Sequence, residues 1–124
     1  MKLSPNFNLS EFNSKDGAVT PPVAIKNLKE LCLSLEVLRQ ELGSKSIKIN
    51  SGYRSPKHNE AQGGKSNSQH LSGKAADIVV SGVDPKVVAD TIEKLMTSGR
   101  MKQGGIGRYS GFTHIDVRGT KARW

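Results

Sequence analysis

Between Ile25 and Leu42 the apolar residues Ile25, Leu28, Leu31, Cys32, Leu35, Leu38 and Leu42 recur at spacings of three and four, one stripe along a helix of about five turns. Thr20 before it reads as a cap, Pro21 and Pro22 suit a first turn, and Gly43 marks the stop. Ile47 to Asn50 alternates apolar and polar residues, a short strand ending at Ser51 and Gly52. Ser55 to Ser72 is polar throughout and reads as a functional loop, with a helical turn starting at Pro56 and ending at Gly63 and Gly64. Ala75 to Val80 is a buried-strand pattern. Asp84 and Pro85 begin a second helix with Val88, Ile92, Leu95 and Met96 inward, and Gly99 ends it. Two last strands, Gly105 to Tyr109 and Phe112 to Arg118, are joined at Ser110 and Gly111 as a hairpin.

This order predicts an α+β fold: a small, mostly antiparallel sheet with helices packed on one face and the other face free to hold a site. A length of 124 residues supports one domain over 1–124 with a real core. An apolar fraction of 35% with 13 Gly and 5 Pro adds many loops to that picture. Cys32, the single cysteine, excludes an intrachain disulfide and sits within the helical stripe as a small buried hydrophobe.

A net charge of +8 draws the surface toward polyanions, including nucleic acid and anionic cell-wall polymers. The basic residues are dispersed and only three Phe, two Tyr and one Trp are available for base stacking, so no specific nucleic-acid binding is expected. Nor is membrane insertion expected, and the protein reads as a monomer. Pro5 and polar neighbours interrupt the N-terminal MKLSPNFNLSEF, which predicts a chain made in the cytoplasm without a signal peptide. A substrate beyond the membrane would then require release or delivery.

Three histidines are present, and a lone histidine is ordinarily a surface or hydrogen-bonding residue. Two of them stand close to carboxylates. His70 ends the polar loop, and Asp77 enters a strand seven residues later, past a turn at Gly73. An Asp within AADIVV has to meet a cation, a metal or strong donors, or lie on an exposed sheet face, because an unpaired buried carboxylate costs several kcal/mol. In FTHIDVR the period of two puts Phe112, His114, Asp116 and Arg118 on one face and Thr113, Ile115 and Val117 on the other. If Asp77 shares the polar face, two imidazoles and a carboxylate can converge with a fourth tetrahedral position open, a catalytic zinc arrangement. Asp116, roughly 7 Å along the strand from His114, is the nearest candidate to accept a proton from water. Otherwise Asp116 and Arg118 form a surface ion pair.

The run SGYRSPKHNEAQGGKSNSQHLSGKAADI resembles the signature of the zinc D-alanyl-D-alanine carboxypeptidase family, which also contains peptidoglycan endopeptidases, and in particular its short phage endolysin members. GGIGRYSGFTHIDVRG and NFNLSEF carry the resemblance across nearly the whole chain, and S-x-H-x-x-G-x-A-x-D with a later His is its most specific part. The resemblance implies a fold shared with the hedgehog signalling domain and one Zn2+ per chain held by His70, Asp77 and His114. It also implies a role for Arg54 beside substrate or transition-state oxygens, which suits a permanently charged guanidinium able to donate two parallel hydrogen bonds. Arg54 can equally be a structural donor. Ser68 and Tyr53 are further candidate substrate contacts, or scaffold.

Several relatives carry a Glu three residues before the last ligand as general base, and this chain has Gly111 there. Strand geometry makes Asp116 the substitute, the alternative being His114 as base with Asp116 on the metal. The resulting expectation is zinc-dependent hydrolysis of peptide bonds in the stem or cross-bridge peptides of bacterial peptidoglycan, as carboxypeptidase or endopeptidase. The competing expectations are a non-catalytic, zinc-stabilised wall- or protein-binding module and a charge-driven nucleic-acid binder.

Overall fold

The computed structural model describes residues 1–124. The chain opens with a two-stranded ribbon, β1 (Lys2–Ser4) against β2 (Phe7–Asn8), and a 3-10 turn at Leu9–Glu11 closed by a reciprocal Asn8–Glu11 capping box. Neither was expected, since two or three residues are too few to display a period. The ribbon is tied to helix α1 (Pro22–Glu41) by Glu36, whose carboxylate accepts from Ser4 Oγ and from both nitrogens of Asn6.

Helix α1 follows the expected stripe: Leu28, Leu31, Cys32, Leu35 and Leu38 are fully buried, and Ile25 and Leu42 at its ends are partly so. Its start differs from expectation. Pro21 occupies the cap position with no side-chain cap, and the Thr20 hydroxyl donates instead to Asn13 Oδ1. Prolines at two successive positions lack N–H groups, so fewer orphan donors remain for a cap to satisfy. At the other end Gly43 is left-handed at φ 80°, and Ser44 N bonds back to Arg39 O, a Schellman closure.

A five-stranded sheet follows, in the order β3 (Ile47–Ser51), β4 (Ala75–Val80), β6 (Thr113–Asp116), β5 (Gly105–Arg108), β7 (Ala122–Arg123). All neighbours are antiparallel except β5 and β7, which are parallel. β7 is an addition to the expected set, and the hairpin strands stop short of the expected Tyr109 and Arg118. Between β3 and β4 lie the short helix α2 (Pro56–Ala61), capped by Ser55, and a 3-10 turn at Gln69–Ser72; helix α3 (Pro85–Thr97), capped by Asp84, precedes β5.

Alternation along β4 and β6 sends Ala76, Ile78 and Ile115 into one core with the inner stripes of α1 and α3, which also takes in Leu3, Phe7 and Phe12 of the N-terminal segment. The same alternation turns Asp77, His114 and Asp116 to the opposite face. No helix is long and apolar enough to cross a membrane.

Candidate metal centre

Sheet register creates the site. Asp77 on β4 is paired directly with His114 on β6, so their side chains stand side by side on the outer face, and Ser51 and Gly107 extend the row to either side. His70 arrives from the 3-10 turn, where Ser68 Oγ accepts its backbone N–H and Gly73, at φ 75°, turns the chain into β4. That turn is held to α1 by Asn27 Nδ2, which donates to Ser72 O. A Cβ at Gly73 would lie 2.6 Å from Ala24 O, so only glycine permits this approach.

The hydrogen bonds determine which atoms face inward. His70 Nδ1 lies 2.7 Å from Gly52 O, and a carbonyl only accepts, so Nδ1 carries the proton and Nε2 keeps its lone pair. His114 Nε2 lies 2.8 Å from Asp116 Oδ2, which places a proton on Nε2 and the lone pair on Nδ1. Both lone pairs point at Asp77 Oδ1, 3.3 Å from His70 Nε2 and 3.1 Å from His114 Nδ1. Three facing acceptors repel unless a cation stands among them. Tetrahedral ligands at about 2.0–2.1 Å from an ion lie roughly 3.3 Å apart, close to both distances to Asp77, and the three ligand atoms all lie within 4.8 Å of one another, so the donor set fits one metal ion.

The charges agree with that reading. Without a metal, a proton taken up by an imidazole can stand in its place: burial works to raise the Asp77 carboxyl, but hydrogen bonds from His114 and His70, once so protonated, outweigh it and hold the group well below its ordinary range. Burial likewise opposes a charge on His114, yet its bonds to Asp116 and Asp77 raise its pKa. The cluster attracts positive charge, whether proton or metal.

Asp116 is not in the cleft. It is fully buried beneath His114, and its oxygens are taken up by His114 Nε2, by Arg118 Nε and Nη2, and by Gly105 N. The Arg118 bond is therefore no surface pair on the aspartate side. Asp116 and Asp77 sit on opposite nitrogens of the His114 ring, and the group whose ligand atoms converge is His70, Asp77 and His114, without Asp116. With both oxygens engaged and no exposed surface, the Asp116 carboxylate is closed off from the cleft. Gly104 and Gly105 make room for it: a Cβ on Gly105 would stand 2.2 Å from Asp116 Oδ2. The GG pair at 104–105 is the signal in the sequence that a bulky buried partner crosses there.

The other candidate residues separate. Arg54 lines the cleft, with Nη2 3.3 Å from Asp77 Oδ2, Nε on Ser51 Oγ and Nη1 on Asn59 Oδ1. Ser68 also lines it. Tyr53 does not: it is packed in the core at 5% exposure, with its N–H on Phe12 O, because the chain turns inward after β3. His58 lies on α2 outside the cluster, and Gly111 is exposed on the hairpin turn with open space around it.

The cleft above the triad, about 740 Å³, has two unlike walls. Loop 63–69 with Lys65 and Asn67 forms one. Tyr109, Phe112 and Trp124 form the other, which the sequence did not disclose. Trp124 packs on His114 with ring centroids 4.8 Å apart and covers the Arg118 guanidinium at 5.4 Å.

A helix-backed sheet that presents two histidines and an aspartate at the floor of a cleft defines a mononuclear metal-site protein of hydrolase type. The chain belongs to the Peptidase M15 family, whose model matches residues 3–116. It is 36% identical over 78 residues to the zinc D-Ala-D-Ala carboxypeptidase of Streptomyces albus G, a match covering 59% of this chain. That match spans 31% of the length of the Streptomyces protein.

Proposed function

We propose that this chain is a zinc peptidase that hydrolyses peptide bonds in the stem or cross-bridge peptides of bacterial peptidoglycan. The observation that carries the reading is the convergence of His70 Nε2 and His114 Nδ1 on Asp77 Oδ1 while both outward nitrogens are engaged elsewhere. Zinc suits a tetrahedral set of two imidazoles and one carboxylate with a position left open, and the Streptomyces relative is a zinc enzyme by name.

When bound, the metal supplies a Lewis acid for the scissile carbonyl and an activated water as nucleophile. Asp116 orients His114 and keeps its Nδ1 lone pair available, as a carboxylate behind a ligating histidine does. Arg54 has N–H groups beyond those used by Ser51, Asn59 and Asp77, and these stabilise negative charge developing on the substrate oxygen. Lys65, exposed on the wall formed by loop 63–69, adds to a positive field that favours carboxylate-bearing peptides. The excess of +8 supports adsorption to anionic wall polymers, and a small basic wall hydrolase suits a phage endolysin or a virion-borne enzyme acting outside the cell that made it.

One observation favours a second reading, a zinc-stabilised wall-binding module: with Gly111 at the turn and Asp116 buried, the cleft holds no carboxylate besides Asp77. Digestion of purified walls decides between them. Mass spectrometry of fragments from wild type and His70→Ala, with bound metal measured in parallel, should show new amino termini only for the metal-loaded wild type. Wall binding with no release supports the module, and full activity of a metal-free His70→Ala protein overturns the zinc peptidase.

A further inference from the structure

The aromatic wall is built with a specific geometry. Gly107 stands beside His114 in the sheet row and lacks a side chain; a Cβ there would lie 2.7 Å from Trp124 Nε1 and 2.9 Å from His114 Cβ. That gap seats the indole. Trp124 is held from behind by the β5–β7 pairing, with Arg108 N donating to Trp124 O and Trp124 N to Ile106 O, and by the neighbouring Arg123, which is anchored on Glu93 and Gln103. The family match ends at Asp116, before this segment.

From this seat Trp124 Nε1 reaches Tyr109 Oη at 2.8 Å. An indole N–H only donates, so the phenol oxygen is the acceptor and its own proton must point elsewhere. The Tyr109 ring is stacked on Phe112 at 4.4 Å and 10°, which limits its rotation. Tyr109 and Trp124 line the cleft and are 45% and 47% exposed, so the hydroxyl proton faces the open space and finds no protein acceptor. On this side of the cleft the charged groups are already engaged, Arg118 with Asp116 and Arg123 with Glu93.

We infer that Tyr109, its oxygen held by the Trp124 N–H, donates a hydrogen bond to an acceptor oxygen of the peptide lying in the cleft, with Trp124 and Phe112 as the apolar wall of that subsite. This rests on the cleft being a peptide site. It makes Tyr109 a substrate-binding residue on the side of the metal centre opposite Arg54 and Lys65.

Trp124 is the sole tryptophan, so emission reports on this wall directly. The test titrates muropeptides, made soluble from walls with a glycan-cleaving enzyme, into chelator-stripped wild type and Tyr109→Phe, which retains the ring on Phe112. Release of amino termini by the zinc-loaded proteins is measured separately. The expected result is a saturable change of emission in wild type and about 3- to 10-fold weaker binding in the variant, the worth of one hydrogen bond, with KM rising more than kcat falls. Equal binding by the two proteins, or no response in wild type, overturns the inference. So does weaker binding accompanied by altered emission of the free variant, which would mean that the hydroxyl only seats Trp124. If zinc-loaded wild type releases no amino termini, the peptidase reading fails, and the titration still decides the subsite.

Discussion

His114 and Asp116, two residues apart on β6, meet side chain to side chain, with Nε2 donating to Oδ2 over 2.8 Å. Residues at this spacing share a sheet face but need not touch; here Arg118 Nε and Nη2 and Gly105 N hold the carboxylate under the imidazole. Asp116→Asn keeps the shape and loses the charge. It should weaken metal binding by about 10- to 100-fold, read by competition against a chromophoric chelator, while retained affinity would show that His114 needs no such orientation.

Metal loading should be visible in Trp124 fluorescence, because the only indole lies 4.8 Å from the ring of a ligand. Zinc added to stripped protein is expected to change the emission saturably at one equivalent, with reversal by chelator. His70→Ala should lose this response at the same concentrations. A response that survives that substitution would move the metal to other residues.

Gly105→Ala forces a methyl to within 2.2 Å of Asp116 Oδ2 in a fully buried place. Overpacking of this kind costs about 1–3 kcal/mol, measurable as a shift of the denaturant midpoint, and the displaced carboxylate should lower metal affinity as well. Gly111→Ala, with open space around it, should do neither.

Acid stability should depend on Asp16. Hydrogen bonds from Ser14 and Ser55 and from Ala18 N bring its pKa from 3.8 down to about 2. A pKa depressed in the folded state contributes stability that is present above 3.8 and lost as pH falls through 2. Asp16→Asn should flatten the fall in stability over that window and leave its shape above pH 5 unchanged. An identical acid profile for the variant would show that this loop contact contributes nothing.

Cys32 is fully buried, and burial pushes its thiol up to about 12. It should resist thiol reagents at pH 8 in the folded protein and react only at the rate of unfolding. Rapid labelling under native conditions would mean that α1 opens locally.

Local pattern was enough for the long elements. The stripe on α1, the Asp84 cap of α3 and the alternation of β4 and β6 are properties of neighbouring residues, and each was legible before any contact was known. The N-terminal ribbon and β7 were not, because strands of two or three residues have no period and exist only through partners elsewhere. Tyr53, read as a substrate contact or scaffold, is packed in the core. Backbone direction after β3 sends its side chain to the core and that of Arg54 to the cleft.

What the sequence by itself determined was the polar row His114, Asp116 and Arg118 and a charged Asp77 within an apolar strand, since alternation is dictated by the backbone, while the family resemblance around His70 and Asp77 implied the three donors. Only the tertiary structure decided what each does. Register across β4, β6 and β5 set Asp77 beside His114 and Gly107, left Asp116 under the imidazole, and opened the gap that Trp124 fills. Those relations link residues far apart in the chain, and only pairing and packing bring them within hydrogen-bond range.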